Sequence, residues 1–525
     1  MFRGTTGKRS RIVLGASVAA VCVAAVGSLV AETAQADPSH GAAGLPGGYK
    51  HLVVIYEENH SFDNLYGGWG DVNGQAVEGR TATGTPQVDK AGNVYGCLEQ
   101  NDVNILAAGP TSGDACGTDP TKFANKTFQV NDYIQPSDKT CALNGAVAFP
   151  AQAHGLRPTD ANAVAGGCTE DIVHRFYQEQ YQIDGGKQNR YVAGSDAAGL
   201  TMGYYDTKQL PIYKYLHSAD APNYVLADHF FQAAFGGSFL NHQFLVAGRA
   251  PVDSSNGALG GVNSVLDASG FPTTDSQETK VCAPPTVNDR EAACGHFAVN
   301  TIQSTSAPHG GGAAIPLIDD ADYPNIGDRL TDAKVSWNWY SGGWDDAVAG
   351  HPGAAFQYHH QPLNYFKNYA EGGSGRSHLK DENDFMAAAA SGELPAVSFV
   401  KPYGTENEHP GYASETTGSD HLVNLIKTIE NGRDGKDTLI VVTYDEFGGQ
   451  YDHVAPPAVD AWGPGTRIPA LVIGAKLGKS GVDHTVYDTT SILATIEHSY
   501  GLRPLGTRDA VVNDLTFATK VGDKH

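Results

Sequence analysis

Four groups of residues in this chain carry side chains suited to phosphate or metal chemistry. The first is Glu57-Glu58-Asn59-His60, which ends the apolar run "HLVVIYE". The second is Asp445-Glu446, which ends "DTLIVVTYDE" in the same way. Groups that resist burial, placed where buried strands stop, belong at the edge of an α/β sheet where ligands gather. Carboxylates crowded there repel one another unless a proton or a cation intervenes. Glu58, Asn59, Asp445 and Glu446 offer oxygen donors, which suit one hard divalent ion: Ca2+ first, with Mg2+ and Mn2+ as alternatives, ahead of zinc. Either cluster alone reads more simply as solvated loop charge; it is the pair of strand ends that points to a metal.

The third group is "FGGSFLNHQFLVAG", residues 235 to 248. Gly236 and Gly237 precede Ser238, and an apolar helical pattern follows. A hydroxyl is therefore expected at a helix N-terminus, where free N–H groups and the dipole attract anions. A serine there acts as a nucleophile when a metal or base lowers its pKa. It is also a common N-cap. The two glycines are expected to let the backbone approach a ligand closely. The fourth group is His174, the pair His359-His360 in "FQYHHQP", and His409 in "NEHPGY". Imidazoles donate to phosphate oxygens and protonate leaving groups near neutral pH. With 20 histidines in the chain, number alone decides nothing. The adjacent pair in a polar turn is the stronger signal, while His453 in "YDHVAPP" reads as structural. There is no G-x-S-x-G elbow, no P-loop lysine motif and no H-E-x-x-H.

The elements that must position these groups alternate. "HLVVIYE" (51–57), "LPAVSFVKP" (394–402), "DTLIVVTYDE" (437–446) and "IPALVIG" (468–474) read as buried strands, and their continuous apolar character suits a parallel sheet covered on both faces. Helices are predicted over 170–183, over 419–432 with Ser419 as N-cap and Gly432 at the end, and over 489–501. Strand–helix alternation makes the chain an α/β sandwich. Two Gly/Thr/Asp/Asn-rich stretches, near 67–165 and 250–315, read as long surface insertions, stapled by disulfides, into a single domain running from 37 to 525.

Residues 1–36 read as a cleavable export signal. Arg3, Lys8, Arg9 and Arg11 precede a Val/Ala/Leu/Gly run, which ends at Ala34-Gln35-Ala36. The product is then expected to be secreted, with no later stretch apolar enough to span a bilayer. Cleavage removes four basic residues and Glu32, taking the formal charge from −23 to −26. Such a body repels nucleic acid, so an anionic substrate needs a strong local holding device. Six cysteines remain, an even number that suits disulfides in an oxidising compartment. Cys282–Cys294 is the favoured local pair; Cys97–Cys116 and Cys141–Cys168 complete one of fifteen pairings.

"EENHSFDNLYG" resembles the E-N-R-S-F-D-x-x-F-G opening of the bacterial phosphoesterase family, which includes secreted acid phosphatases and phospholipases C. "VVTYDEFGGQYDHVAPP" looks like its D-E-x-G-G-x-x-D-H-V-x-P-P signature, and "NEHPGY" like its E-H-P segment. The resemblance runs from about residue 49 to residue 505. It implies an alkaline-phosphatase-like fold, with a mostly parallel sheet between helical layers. It implies Glu58, Asn59, Asp445 and Glu446 as metal ligands, and Ser238 as a nucleophile that also touches the metal. It implies His174, His359, His360 and His409 as phosphate-binding and proton-transferring groups. His60 departs from the usual Arg. "SFLNH" departs from the T-x-P-N-R of typical phospholipases and looks more like the acid phosphatase branch.

The expected activity is hydrolysis of phosphate monoesters through a phosphoserine. One rival is a phospholipase C acting on phosphatidylcholine-type diesters, with the aromatic run "WNWYSGGW" (337–344) as a candidate choline pocket. The other is a non-catalytic exported protein that only binds a phosphate ligand.

Overall fold

A computed structural model describes residues 44–99, 122–132, 139–141, 164–165, 171–195, 197–251, 303–311, 314–315, 317–411 and 413–521. The expected export signal and Cys116, Cys168, Cys282 and Cys294 lie outside the described residues, as does most of 250–315. Cys97 is disulfide-bonded.

Eight strands form the main sheet: β1 (His51–Glu57), β2 (Tyr224–Ala227), β3 (Trp337–Ser341), β4 (Leu379–Asp381), β5 (Val397–Lys401), β6 (Thr438–Tyr444), β7 (Ala470–Ile473) and β8 (Gly481–Asp483). Their spatial order is β4-β3-β5-β1-β6-β7-β2-β8. The protein is thus α/β with a mostly parallel sheet. Strand β7 is the exception, antiparallel to both β6 and β2. The parallel placement expected for "IPALVIG" is corrected here. Residues 445–469 contain no helix to carry the chain across to the other end of the sheet, so it re-enters from the edge it left. The sequence reading also missed β2, β3, β4 and β8, which are short or interrupted by polar residues.

Strand β1 lies at the centre. Leu52 to Glu57 are all fully buried. Each apolar side chain so covered is worth about 1.5–3 kcal/mol. Alternation along the strand sends neighbours to opposite faces. Tyr56 meets the ring of His242 on helix α3 (Ser238–Ala247) at 5.0 Å. Glu57 instead feels the charges of Glu408 and Glu382 on the other side. There helix α4 (Glu382–Ser391) packs against α5 (Glu415–Asn431), while α3 packs with α6 (Thr490–Tyr500).

Three expectations shift in detail. Helix α2 spans Phe176–Ile183, not 170–183; its N-cap is Arg175, with extended backbone. Helix α5 starts one turn early, because Ser414 rather than Ser419 caps it by accepting from Thr417 N at 3.1 Å. Ser419 instead accepts from Ile212 N at 3.0 Å, and Gly432 ends the helix as expected. Finally, Trp69, Val72, Tyr95 and Leu98 are buried in the main core. The first part of the expected surface insertion at 67–165 therefore fills the interior.

Candidate active site

Strands β1 and β6 are parallel neighbours with Glu57 opposite Tyr444. The residues that follow them therefore leave the sheet side by side. Asp445 N donates to Glu57 O at 3.1 Å, and Asn59 N donates to Asp445 Oδ1 at 3.2 Å. Asn59 adopts φ +59°, which turns the chain over the sheet edge. Gly448 makes room for that turn: a Cβ there would lie 2.3 Å from Asn59 O. Its own N–H donates to Glu446 Oε2 at 2.6 Å.

Ser238 arrives from the other direction. Gly237 is the N-cap of α3, with no side-chain capping bond, so the hydroxyl is not a cap. It points to Glu58 Oε2 at 3.3 Å and Glu446 Oε1 at 3.4 Å. Gly236 has a packing role that its spacing did not suggest. It has φ +93°, and its missing Cβ leaves space for Phe176 N, 2.6 Å from where that atom would be. The buried carboxylate of Glu179, on α2, fixes the same turn. It accepts from Gly236 N at 2.6 Å and from Gln232, and its other oxygen accepts twice from Thr466.

The histidines close around this group. His174 Nε2 lies 3.2 Å from Glu446 Oε1 and 3.3 Å from Asn59 Nδ2. His409 Nε2 lies 3.0 Å from Asn59 Nδ2 and 3.9 Å from Glu58 Oε2. His360 Nε2 lies 2.8 Å from Glu58 Oε1. His359 touches none of the acidic oxygens; its ring packs 4.6 Å from His360 and 5.8 Å from His242. The extended stretch before α2 explains the shortened helix. His174 Nδ1 reaches Ile172 O at 2.5 Å, which turns its other nitrogen inward. Of the first quartet, Glu58 and Asn59 face Ser238, whereas Glu57 occupies the opposite face of the sheet. His60 is spent on Asn64 Oδ1 at 2.6 Å and Glu408 O at 2.9 Å. His453 binds Asp63 Oδ2 at 2.7 Å.

Two members of the cluster escaped the sequence reading. Lys401, the last residue of β5, is fully buried with Nζ 2.5 Å from Glu58 Oε1. His242, one turn after Ser238, is fully buried. It stacks on His360 at 5.4 Å, and its Nδ1 lies 2.7 Å from Ser238 O. Both left a signal: a lysine closing an apolar strand, and a histidine at i+4 from the serine on one helix face. Conversely, "WNWYSGGW" forms no aromatic cage in this structure. It contains β3, and Trp339 stacks on Phe399 while donating to His360 O at 2.8 Å.

Electrostatics sorts the carboxyls. Burial opposes ionisation of Glu58, yet Lys401 and then His360 hold it well below the usual range. Asp445 is pushed up to about 8 by burial and then by the Glu58 charge. Glu446 is raised well above its ordinary value by burial and then by Asp445. Burial also lowers His360 and His409, and lowers His242 strongly. Asn59 Oδ1 is a buried acceptor with no hydrogen-bond donor. An unfed amide oxygen beside carboxyls that burial forces toward neutrality is the donor set a hard cation requires.

The family model for the phosphoesterase family matches residues 49–503. The chain belongs to the phosphoesterase family. It is a hydrolase of phosphoric ester bonds. This phosphoesterase is 22% identical to phospholipase C B of Mycobacterium tuberculosis, over 91% of its own length and 80% of that protein. It is 25% identical to a protein named probable acid phosphatase from Kluyveromyces lactis, over 39% of this chain and 50% of the other. Among solved structures, a protein in the alkaline phosphatase superfamily from Vibrio parahaemolyticus overlaps 59% of this chain and 65% of its own. That overlap has 10% identity and a TM-score of 0.30, too loose to carry an argument.

Proposed function

We propose that this phosphoesterase is exported and hydrolyses phosphate monoesters in two steps, with Ser238 as the nucleophile and one divalent cation held by Glu58, Asn59, Ser238, Asp445 and Glu446. The observation that carries the reading is the Ser238 hydroxyl, set 3.3 and 3.4 Å from two buried carboxyls beside the donorless Asn59 oxygen. When bound, the cation supplies a lowered serine pKa and neutralises phosphate charge. Ca2+ fits the oxygen-only donors best.

The chain's own groups do the rest. Glu58, held ionised by Lys401, accepts the Ser238 proton, and Oγ attacks phosphorus in line with the leaving oxygen. The P–O bond to the alcohol breaks, and His360 or His409 gives the departing oxygen its proton. Both imidazoles are held neutral by burial; the incoming phosphate charge raises their pKa and makes them competent acids. The same histidine then takes a proton from water, which attacks the phosphoserine; the bond from phosphorus to Ser238 Oγ breaks, and Glu58 returns the proton to Oγ. His174 and His359 complete the polar wall that holds the phosphate oxygens. Lys401 keeps Glu58 ionised.

A second reading, a phospholipase C, is favoured by the curated relative of that name spanning 91% of the chain. Turnover of p-nitrophenyl phosphate and of phosphatidylcholine vesicles separates the two, and a marked preference for the lipid overturns the monoester reading. Ser238→Ala is expected to abolish both turnover and the phosphorylated intermediate trapped by acid quench. Unchanged turnover removes Ser238 from the mechanism. Loss of turnover for every ester in the wild type favours a protein that only binds phosphate ligands.

A further inference from the structure

The device that brings Glu58 and Asp445 together recurs at the other end of the sheet, with different donors. Strands β2 and β8 are parallel neighbours with Ala227 opposite Asp483. The next residues, Asp228 and His484, therefore leave the sheet together, and Asp228 N donates to Asp483 O at 3.2 Å. His229 follows directly.

Two imidazole nitrogens converge on one carboxylate. Asp228 Oδ1 lies 3.0 Å from His229 Nδ1 and 2.9 Å from His484 Nδ1. All three atoms lie within 4.8 Å of one another. A tetrahedral site with metal–ligand bonds of about 2.0–2.1 Å has donor–donor edges of about 3.3–3.4 Å, so side-chain shifts of a few tenths of an ångström would let the three atoms share one ion. Asp228 is fully buried, and its Oδ2 also accepts from Glu78 N at 2.7 Å. The cluster opens outward through His484, whose side chain is 57% exposed.

The second observation concerns the far side of His229. Its Nε2 lies 3.0 Å from Glu78 Oε2 while its Nδ1 faces Asp228. A neutral imidazole carries one N–H and cannot donate to both carboxylates. Either the ring is doubly protonated or Nδ1 is a lone pair directed at a cation. In the second case Nε2–H donates to Glu78, the outer carboxylate arrangement that orients metal-bound histidines. Arg467, which donates to Asp228 O at 3.0 Å, is paired with Asp63 and Asp452.

We propose that Asp228, His229 and His484 form a second metal site, separate from the Ser238 centre, selective for a borderline transition-metal ion of the Zn2+ class. Two nitrogens and one oxygen suit Zn2+ or Co2+ rather than the hard cation expected beside Ser238. The solvent-facing side leaves the fourth position to water. A bound ion ties β8, a three-residue edge strand, to β2, and so stabilises the fold by mass action.

The test uses the full chain and two probes. Zn2+ is titrated in competition with a chromogenic chelator, and Co2+ binding is followed by its d–d absorption. The wild type is expected to hold one more Zn2+ than His484→Gln, and to show a Co2+ band that the variant lacks. The amide introduced by His484→Gln can still hydrogen-bond to Asp228, and its exposed position leaves the fold and ester hydrolysis unchanged. His229→Gln is expected to behave alike, and Glu78→Gln to weaken the extra ion about 10–100-fold. Equal Zn2+ content and superimposable Co2+ spectra in the wild type and His484→Gln overturn the proposal and leave a cluster that shares protons only.

Discussion

Gly236, two residues before Ser238, constrains where the serine turn can lie. Gly236 has φ +93°, and a Cβ there would sit 2.6 Å from Phe176 N and 2.8 Å from Phe176 Cα. Both obstacles are backbone at the start of α2, so no side chain can swing away. Ordinary contact begins at 3.4 Å, so Gly236→Ala demands about 0.8 Å of separation between the α2 start and the serine turn. The left-handed backbone costs an alanine about 1–2 kcal/mol, and overpacking adds roughly 1–3 kcal/mol. A total of about 2–5 kcal/mol is expected in equilibrium denaturation. The same displacement takes the hydroxyl off its 3.3 and 3.4 Å contacts with Glu58 and Glu446. Misplacement near 1 Å costs up to ~100-fold in rate, so kcat/KM for p-nitrophenyl phosphate is expected to fall about 10–100-fold. Gly70→Ala is the control. Gly70 has φ +80° with nothing within 4 Å of an added methyl, so only the backbone term applies and activity stays at the wild-type level. Wild-type kcat/KM in Gly236→Ala, or equal damage from Gly70→Ala, refutes the reasoning.

Other consequences follow from buried charge. Lys401→Met leaves Glu58 buried without its closest cation, so stability is expected to drop by about 3–5 kcal/mol. Part of it returns in Lys401→Met/Glu58→Gln, as a double-mutant cycle would show; additive losses would mean that the 2.5 Å pair is not coupled. Glu497 is fully packed, and burial followed by the Asp509 charge pushes its carboxyl up to about 10. The folded chain then holds a proton that the unfolded chain releases above its ordinary glutamate pKa. That stability is present at low pH and is lost as pH rises toward the folded value, by about 1.4 kcal/mol per pH unit. Thermal midpoints of Glu497→Gln between about pH 6 and pH 9 are expected to fall less steeply than those of the wild type, and parallel slopes would contradict the burial argument. Chelation is expected to remove hydrolysis and lower the thermal midpoint, with Ca2+ restoring both; full turnover by protein shown free of metal by elemental analysis would exclude the cation from the reaction.

Among the described residues, no helix is long and apolar enough to cross a membrane.

The sequence by itself determined the parts whose information is local. The run from Leu52 to Tyr56 read as a buried strand, and the polar residues after it and after Tyr444 as groups at a sheet edge. Gly432 ended its helix, and the motifs around Glu58, Asp445 and His409 carried the family. Tertiary structure decided what depends on distant backbone. Neither Asn59 nor Asp445 specifies that one donates to the other; parallel pairing of β1 with β6 does. The direction of β7 followed from a connection without a crossover, which its own residues do not encode. Lys401 reads as an ordinary strand end until the strand is found next to β1, where its amine meets Glu58. His174 lies before its helix rather than in it, with one ring nitrogen held at Ile172 O and the other turned to Glu446, a partner far away in the chain. Chain-local patterns fix which faces are buried; only the closure of loops hundreds of residues apart fixes which charges must share one site.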